Sequence, residues 1–229
     1  MVWMPRQKRS AGPTSGSEAK RHAEERVDGR REGGNRTRRR LINTAQEMLA
    51  ERGEDSIRLR ELTVAAQTNM ESVHYHFGSL GALLQVAEAE AVEHVIDAQL
   101  AELDALSADA TLHDIAAAYF RPFVQALNAP SGEGRPYMGV LVRLAVDPPA
   151  ELREWLAATI QSAHDRLCER LRAVLPDVPD AELRFRIKCV GGIIVVLSGW
   201  ALEPDVRGKT PEQVEDLLVP AIAGAFAGG

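Results

Sequence analysis

Side chains that can form hydrogen bonds with a partner are concentrated in residues 69–79 (NMESVHYHFGS). This stretch holds two imidazoles, a phenol, two serine hydroxyls, an amide and a carboxylate. Groups of these kinds can hydrogen-bond to base edges and to phosphates. Catalysis by serine would also need a nucleophile elbow such as G-x-S-x-G, and the sequence has none. The residues therefore indicate recognition rather than an enzyme.

A metal site is the first alternative for the histidines. Glu90 and His94 stand four residues apart and Asp97 three further on, so all three can share one helical face. No second cluster elsewhere has the spacing of metal ligands, and a solvated helix face explains these residues better. His74 and His76 are two residues apart and do not share a helical face. We therefore expect no metal and no cofactor.

A short helix is predicted to position the polar stretch. Asn69 is a good N-cap, residues 70–77 make about two turns, and Gly78 ends the helix as a C′ glycine. Val73 and Phe77 can both face inward, which leaves the polar residues around the rest of the circumference. A helix of this length is not stable alone, so upstream residues must support it.

Two more helical patterns precede it. The apolar residues of 59–66 lie at helical spacing, and Gln67-Thr68 supplies a turn, which together predict a helix-turn-helix unit. Residues 41–49 repeat apolar positions at helical spacing, and Gly53 closes that element. Three short helices in about fifty residues have the size of a DNA-reading module.

Residues 39–53, 62–66 and 73–84, with the run VHYHFGS at 73–79, resemble the N-terminal domain of the TetR/AcrR family of transcriptional repressors. The resemblance covers about residues 35–84. It implies a ligand-responsive repressor that binds a pseudo-palindromic double-stranded DNA operator as a homodimer. The DNA-binding positions that it implies are Arg36, Thr37, Arg38, Arg60, Thr68, Asn69, Met70, Glu71, Ser72, His74, Tyr75 and His76.

The sequence departs from the family pattern at several positions. Gln67 stands where the turn usually has Gly, so either Gln67 tolerates that backbone geometry or the turn differs. His74 replaces a usual Tyr, and Glu71 stands where small or basic residues are frequent. Leu80 replaces a usual Lys, which removes a phosphate contact. The usual cap of the second helix is missing, and Ser56 is the nearest substitute.

The charge distribution agrees with DNA binding although the net charge of −6 does not. Residues 1–84 contain 15 Lys and Arg against 11 Asp and Glu, whereas residues 85–229 contain 12 against 22. Attraction to phosphate acts within a Debye length of about 8–10 Å, so the sign of the local charge, and not the net charge, decides whether DNA is attracted. Residues 1–34 are predicted to be a disordered basic tail, either a DNA-following arm or a plain solvated segment.

The remaining sequence predicts an all-α fold. Residues 35–84 would form the DNA-binding domain and residues 85–229 a larger helical domain that binds the effector and dimerises. Residues 128–136 are a loop by composition. Helices are predicted over residues 79–106, 111–127, 137–146, 150–175, 181–202 and 210–226.

The resemblance also implies an effector pocket in the larger domain. Candidate lining residues are Tyr119, Phe123, Tyr137, Met138, Arg143, Trp155 and Trp200, with His113 and Cys189 as weaker candidates. Core packing is the alternative for each aromatic residue. Arg143 lies in an apolar run and needs a partner, which Asp147 or an anionic ligand could supply. A mostly apolar pocket favours a hydrophobic or amphipathic small molecule.

Dimerisation is predicted through the last two helices, where Gly191, Gly192 and Ser198 would allow close helix approach. Ordinary interior helices of a monomer are the alternative. Cys168 and Cys189 are expected to be free, buried thiols. The sequence has no signal peptide and no membrane-length apolar run, which predicts a cytoplasmic protein. The competing function is a helical protein that sequesters a small molecule or partner protein without reading DNA.

Overall fold

The computed structural model describes residues 15–128, 135–198 and 209–228. Its regular elements in these ranges are helical, and the all-α prediction is confirmed. A 3₁₀ turn at Glu54–Ser56 separates the first two helices. The helices are α1 Ser15–Arg52, α2 Leu59–Ala65, α3 Met70–Phe77, α4 Leu80–Ala105, α5 Leu112–Asn128, α6 Arg135–Val146, α7 Arg153–Val174, α8 Asp180–Ser198 and α9 Pro211–Ala227.

The first helix is longer than the sequence predicts. It begins at Ser15, whereas residues 1–34 were expected to be disordered. Residues 15–34 lack an apolar stripe, but they are rich in Glu, Ala, Lys and Arg, which have high helix propensity. The chain divides into two compact units, residues 1–39 and 40–229. The predicted domain boundaries at 34 and 84 remain predictions.

One buried cluster in the second unit supports the short helices. Leu41 and Ile42 of α1, Leu62 of α2 and Val73 of α3 are fully buried in it. Leu83, in the first turn of α4, belongs to the same cluster. The helix-turn-helix unit is thus anchored to the long helix that follows it, as its small size requires.

A second buried cluster lies among α4, α5, α7, α8 and α9. Tyr119 stands edge-to-face with both Phe123 and Phe226, at ring-centroid distances of 6.1 and 6.3 Å. Cys168 is a buried free thiol in this cluster, as expected, but Cys189 is exposed. The predicted burial of Cys189 was therefore wrong, because it lies on the outward side of α8.

The final helix begins with a capping box. The hydroxyl of Thr210 accepts from the backbone N–H of Gln213, and the Gln213 side chain accepts from the backbone N–H of Thr210. Pro211 occupies the first helical position, where its missing N–H is not needed. Residues 129–134 of the predicted loop lie outside the described residues, whereas residue 128 ends α5 and residues 135 and 136 begin α6, so the loop prediction was wrong at both ends.

Candidate DNA-binding face and effector cavity

Side-chain hydrogen bonds fix the start of α3. Asn69 Oδ1 accepts from the backbone N–H and from the hydroxyl of Ser72, both at 2.9 Å. The hydroxyl of Thr68 donates to Ser72 Oγ at 3.0 Å. The predicted N-cap is confirmed, and three of the predicted DNA-binding residues form one network that holds the helix N-terminus.

The outward side of α3 presents large side chains to solvent. Tyr75 is 84% exposed and Met70 is 52% exposed, which is unusual for side chains of this size. Glu71 and His74 are also exposed, whereas His76 is half-buried. An exposed Tyr and an exposed Met on one capped helix favour a surface that a partner covers.

The imidazoles of α3 have distinct roles. His74 Nδ1 lies 3.0 Å from the carbonyl oxygen of Gly78, to which it can donate. In the neutral tautomer that makes this bond, Nε2 of His74 becomes the acceptor available to a base. The ring of His76 meets the ring of Tyr75 in an edge contact at a centroid distance of 4.9 Å. His76 therefore restricts the orientation of the exposed phenol.

The turn between α2 and α3 places Gln67 in the left-handed region, with φ of 51°. It is the only non-glycine residue with positive φ in the described part of the chain. The turn thus keeps the backbone conformation that the family pattern reserves for Gly. The Cβ of Gln67 makes this conformation less favourable than it would be for Gly.

We expect Gln67→Gly to raise the free energy of unfolding by about 0.5–1 kcal/mol, because glycine adopts this conformation without the Cβ clash. Urea denaturation followed by circular dichroism measures it. Gln67→Ala keeps a Cβ at the same position and should give no gain. A Gly variant no more stable than the Ala variant would show that the turn is unstrained.

The cap of α2 differs from the prediction. Ser56 was the expected substitute, but its hydroxyl donates to the carbonyl oxygens of Arg52 and Gly53. Arg58 is the N-cap residue and makes no side-chain capping bond. Ser56 is engaged in closing the preceding turn, so it cannot reach the α2 N-terminus. Arg60, a predicted DNA contact, is exposed.

Leu80 occupies the first turn of α4 and packs against the buried cluster around the short helices. Its side chain is half-buried, and a phosphate-binding cation is therefore replaced by core packing. The remaining predicted contacts lie in the first unit of the chain. Arg36 is exposed there, and the half-buried Thr37 donates its hydroxyl to the carbonyl oxygen of Gly33 at 3.0 Å. Arg38 is also half-buried.

A cavity of about 300 Å³ lies among α4, α5, α6, α7 and α8. Of the predicted lining residues, Tyr119 and Phe123 are in its wall, whereas Arg143 and Trp155 are not. The side chains of Tyr137 and Met138, and the whole of Trp200, lie outside the described residues. The cavity is lined by Ile96, Gln99, Tyr119, Phe123, Leu141, Val142, Ala145, Leu156, Ile160, Ala163, His164, Lys188, Gly191 and Gly192.

Sequence reasoning missed most of this wall. It singled out aromatic residues, but aliphatic side chains form the larger part. Gln99 was a usable signal, since it is a polar residue in an apolar helical stripe and is fully buried. The weaker candidates His113 and Cys189 are exposed and are not among the lining residues.

Arg143 is paired with Glu88 rather than with Asp147 or a ligand. Glu88 is 1% exposed and the Arg143 side chain 27%. Asp147 and an anionic ligand were the partners expected for Arg143, but Glu88 is far away in sequence and comes from α4. Burial raises the pKa of the Glu88 carboxyl above its ordinary value, and the Arg143 charge opposes this shift.

Two sides of α6 meet different parts of the molecule. Leu141, Val142 and Ala145 line the cavity. Val140 and Leu144 are buried in the cluster that supports the short helices. One helix, α6, therefore contributes both to the wall of the cavity and to the buried cluster that supports the helix-turn-helix unit.

Close contacts join α6 to the end of α1. A Cβ on Gly139 would lie 2.6 Å from Cβ of Ala50, so the two helices touch closely there. A Cβ on Gly53 would lie 3.7 Å from Cδ of Arg143. Any shift of α6 must therefore move or strain the residues that support α2 and α3.

The site and fold define an all-helical protein with a helix-turn-helix unit and a larger helical domain that encloses a cavity. Residues 117–228 match the family model described as "Tetracyclin repressor-like, C-terminal domain". No curated protein matches the sequence. Residues 117–228 are thus similar to the C-terminal domain of tetracycline-repressor-like proteins, and the fold is that of solved TetR-family regulators.

Solved structures of TetR-family regulators share the fold at low sequence identity. PfmR from Thermus thermophilus is 17% identical with a TM-score of 0.59, over 83% of this chain and 95% of that chain. SCO4454 from Streptomyces coelicolor is 18% identical with a TM-score of 0.63, over 84% and 95%. A putative transcriptional regulator from Saccharomonospora viridis, solved in complex with choline, is 18% identical with a TM-score of 0.60, over 84% and 96%.

Among the described residues, none of the helices is both long and apolar enough to cross a membrane. The same residues contain no group of three or more His, Cys, Asp and Glu side chains that could hold a metal ion.

Proposed function

We propose that the protein is a cytoplasmic repressor that binds a pseudo-palindromic DNA operator as a homodimer and is released by a small-molecule effector. The observation that carries this proposal is the outward side of α3. Its capped N-terminus and its exposed Met70 and Tyr75 form a rigid surface without a protein partner in the described chain. A rigid short helix of this kind can enter the major groove.

The last two helices supply a surface suited to a two-fold dimer. Phe185 of α8 is 66% exposed and Leu217 of α9 is 58% exposed. Cys189 and Gly192 continue the exposed stripe of α8 at helical spacing. Arg186 Nη1 donates to the carbonyl oxygen of Phe226 at 2.7 Å, which holds the two helices together. An isologous pairing of this surface would bury both large side chains.

We expect Phe185→Glu to dissociate the homodimer, because each copy would bring an unpaired carboxylate into an apolar interface. Sedimentation velocity at micromolar concentration should show a monomer. Val146→Glu is the matched control, since Val146 is 73% exposed at the end of α6 and lies outside the last two helices. An unchanged sedimentation coefficient for Phe185→Glu would place the interface elsewhere.

The coupling between cavity and DNA would pass through α6 and α4. A ligand that fills the cavity touches Leu141 and Val142, and the other side of α6 touches Ala50 near the end of α1. The ligand would favour a spacing of the two recognition helices that no longer matches the half-sites. Couplings of this kind are typically about 1–3 kcal/mol. The choline complex of a regulator with this fold supports a small-molecule site.

A protein that sequesters a ligand without reading DNA is the second candidate. The exposed carboxylate of Glu71 on α3 and the loss of a cation at Leu80 favour it, since both weaken attraction to phosphate. Salt dependence separates the two functions. A DNA reader loses affinity steeply as salt rises, whereas the binding of a small ligand in a largely apolar cavity depends much less on salt. DNA binding by the purified protein at two salt concentrations is therefore the deciding experiment.

A further inference from the structure

Most of the cavity wall is apolar. Aliphatic side chains from α4, α6 and α7, together with Phe123 of α5, cover the greater part of it. Four described lining residues carry polar side-chain groups: Gln99, Tyr119, His164 and Lys188. The availability of these four groups to a ligand decides which ligand chemistry the cavity accepts.

Two of the four polar residues are engaged with each other. Gln99 Nε2 donates to the backbone carbonyl oxygen of Tyr119 at 2.8 Å. Burial raises the pKa of Tyr119 to about 12, and a hydrogen bond with the Gln99 side chain opposes the shift. Both residues are almost fully buried. This part of the wall is therefore neutral, and one of the two N–H donors of the Gln99 amide is already used.

Positive charge comes from Lys188 on α8. It is exposed, and none of the ion pairs found among the described residues includes it. Asp165, whose charge acts on His164, accepts from Arg184 Nη1 at 2.5 Å and from Gln161 Nε2 at 3.0 Å, both at Oδ1. An ammonium group at the rim of an apolar cavity attracts an anion and penalises a cation.

His164 on α7 stands beside this charge. Burial and the charge of Lys188 lower the pKa of His164, which keeps the imidazole neutral at physiological pH. A neutral imidazole can donate one hydrogen bond and accept another without adding charge. The described wall thus holds one cation, one adaptable hydrogen-bonding ring and a neutral apolar interior.

We propose that this cavity binds a monoanionic amphiphile, with a carboxylate held by Lys188 and His164 and an apolar body enclosed by α4, α5, α6 and α7. That the amphiphile binds follows from the cavity alone. That it acts as the effector of a repressor rests on the proposed function. The volume of about 300 Å³ is at the small end of ligand pockets, which favours a short aliphatic or aromatic body.

The test is calorimetric titration of the full chain with three probes of equal tail length: octanoate, octanol and octyltrimethylammonium. Octanoate should bind at least about tenfold more tightly than either other probe, because only its head group pairs with the lysine. Binding by octanol or by the cation as tight as that of octanoate would overturn the proposal. Failure of all three to bind would also overturn it.

Lys188→Met tests the role of the ammonium group directly. It should weaken octanoate binding about five- to tenfold and leave octanol binding unchanged. Lys209→Met is the matched control, because Lys209 is exposed and does not line the cavity. Equal octanoate affinity in Lys188→Met and wild type, in a variant with unchanged thermal unfolding, would show that the lysine does not hold the head group.

A DNA-binding assay with and without octanoate separates this proposal from the proposed function. Octanoate binding that depends on Lys188, without any DNA binding, would support the ligand class and contradict the repressor. Salt-sensitive DNA binding without octanoate binding would support the repressor and overturn the ligand class.

Discussion

Tyr75→Ala and His76→Ala are each expected to weaken operator binding at least about thirtyfold. A good contact to a base contributes about 1–3 kcal/mol, and each substitution is present in both recognition helices of a dimer. Tyr75 is 84% exposed, so its removal leaves no cavity, and His76 supports its ring. Fluorescence anisotropy with a labelled operator measures both affinities.

Two controls separate DNA contact from loss of fold. His113→Ala removes an exposed imidazole on α5 and should leave operator affinity unchanged. Tyr75→Phe keeps the ring and removes only the hydroxyl. Comparison with Tyr75→Ala therefore separates the contribution of ring stacking from that of a hydrogen bond by the hydroxyl. Operator affinity equal to wild type in both alanine variants, with the dimer intact, would show that α3 does not meet DNA through this side.

Arg143→Met should destabilise the protein by about 2–3 kcal/mol at neutral pH. The substitution leaves the carboxylate of Glu88 buried without its partner. Breaking a fully buried ion pair costs more, but the Arg143 side chain is 27% exposed, so solvent already screens part of the interaction. The change lies where α4, α6 and the end of α1 meet. Guanidinium denaturation followed by circular dichroism gives the free energy of unfolding.

The deficit of Arg143→Met should depend on pH in a defined direction. Burial already raises the pKa of Glu88, and loss of the arginine raises it further. A carboxyl with a raised folded-state pKa contributes its stability at acid pH and loses it as the pH rises through that pKa. The deficit is therefore expected to be small near pH 4.5, the ordinary pKa of glutamate, and to grow towards neutral pH.

The double variant Glu88→Leu/Arg143→Met should recover most of the lost stability, since well-packed apolar residues often replace a buried ion pair without loss. Arg153→Met is the surface control, because Arg153 is exposed and should change stability little. A deficit that is the same at acid and neutral pH, or that persists in the double variant, would assign the effect to packing by the Arg143 side chain.

Local sequence patterns predicted the helix-turn-helix unit. The Asn69 cap, the Gly78 stop and the Thr210 capping box each depend on residues within four positions of one another. For Gln67 the sequence left two outcomes open, the backbone geometry usually given to Gly or a different turn, and Gln67 adopts the first with φ of 51°. Such features are readable because the atoms that interact are neighbours in the chain.

Local sequence patterns could not predict the Arg143–Glu88 ion pair or the cavity. Arg143 and Glu88 are 55 residues apart, and the cavity wall draws on five helices. Sequence periodicity shows which side of a helix is apolar, but it does not show which helix lies opposite. Lys188 therefore could not be connected with His164 until both were placed in one wall.

Affinity for the DNA segment beside the protein's own gene, measured at about 50 and 200 mM salt, shows whether the protein is a DNA-binding repressor. We expect tight binding to a near-palindrome that falls about a thousandfold or more between the two salt concentrations, as several phosphate contacts per site require. Competing unrelated DNA should bind far more weakly. Failure to bind either that segment or a random-sequence pool at the lower salt concentration would contradict the repressor function and favour ligand sequestration.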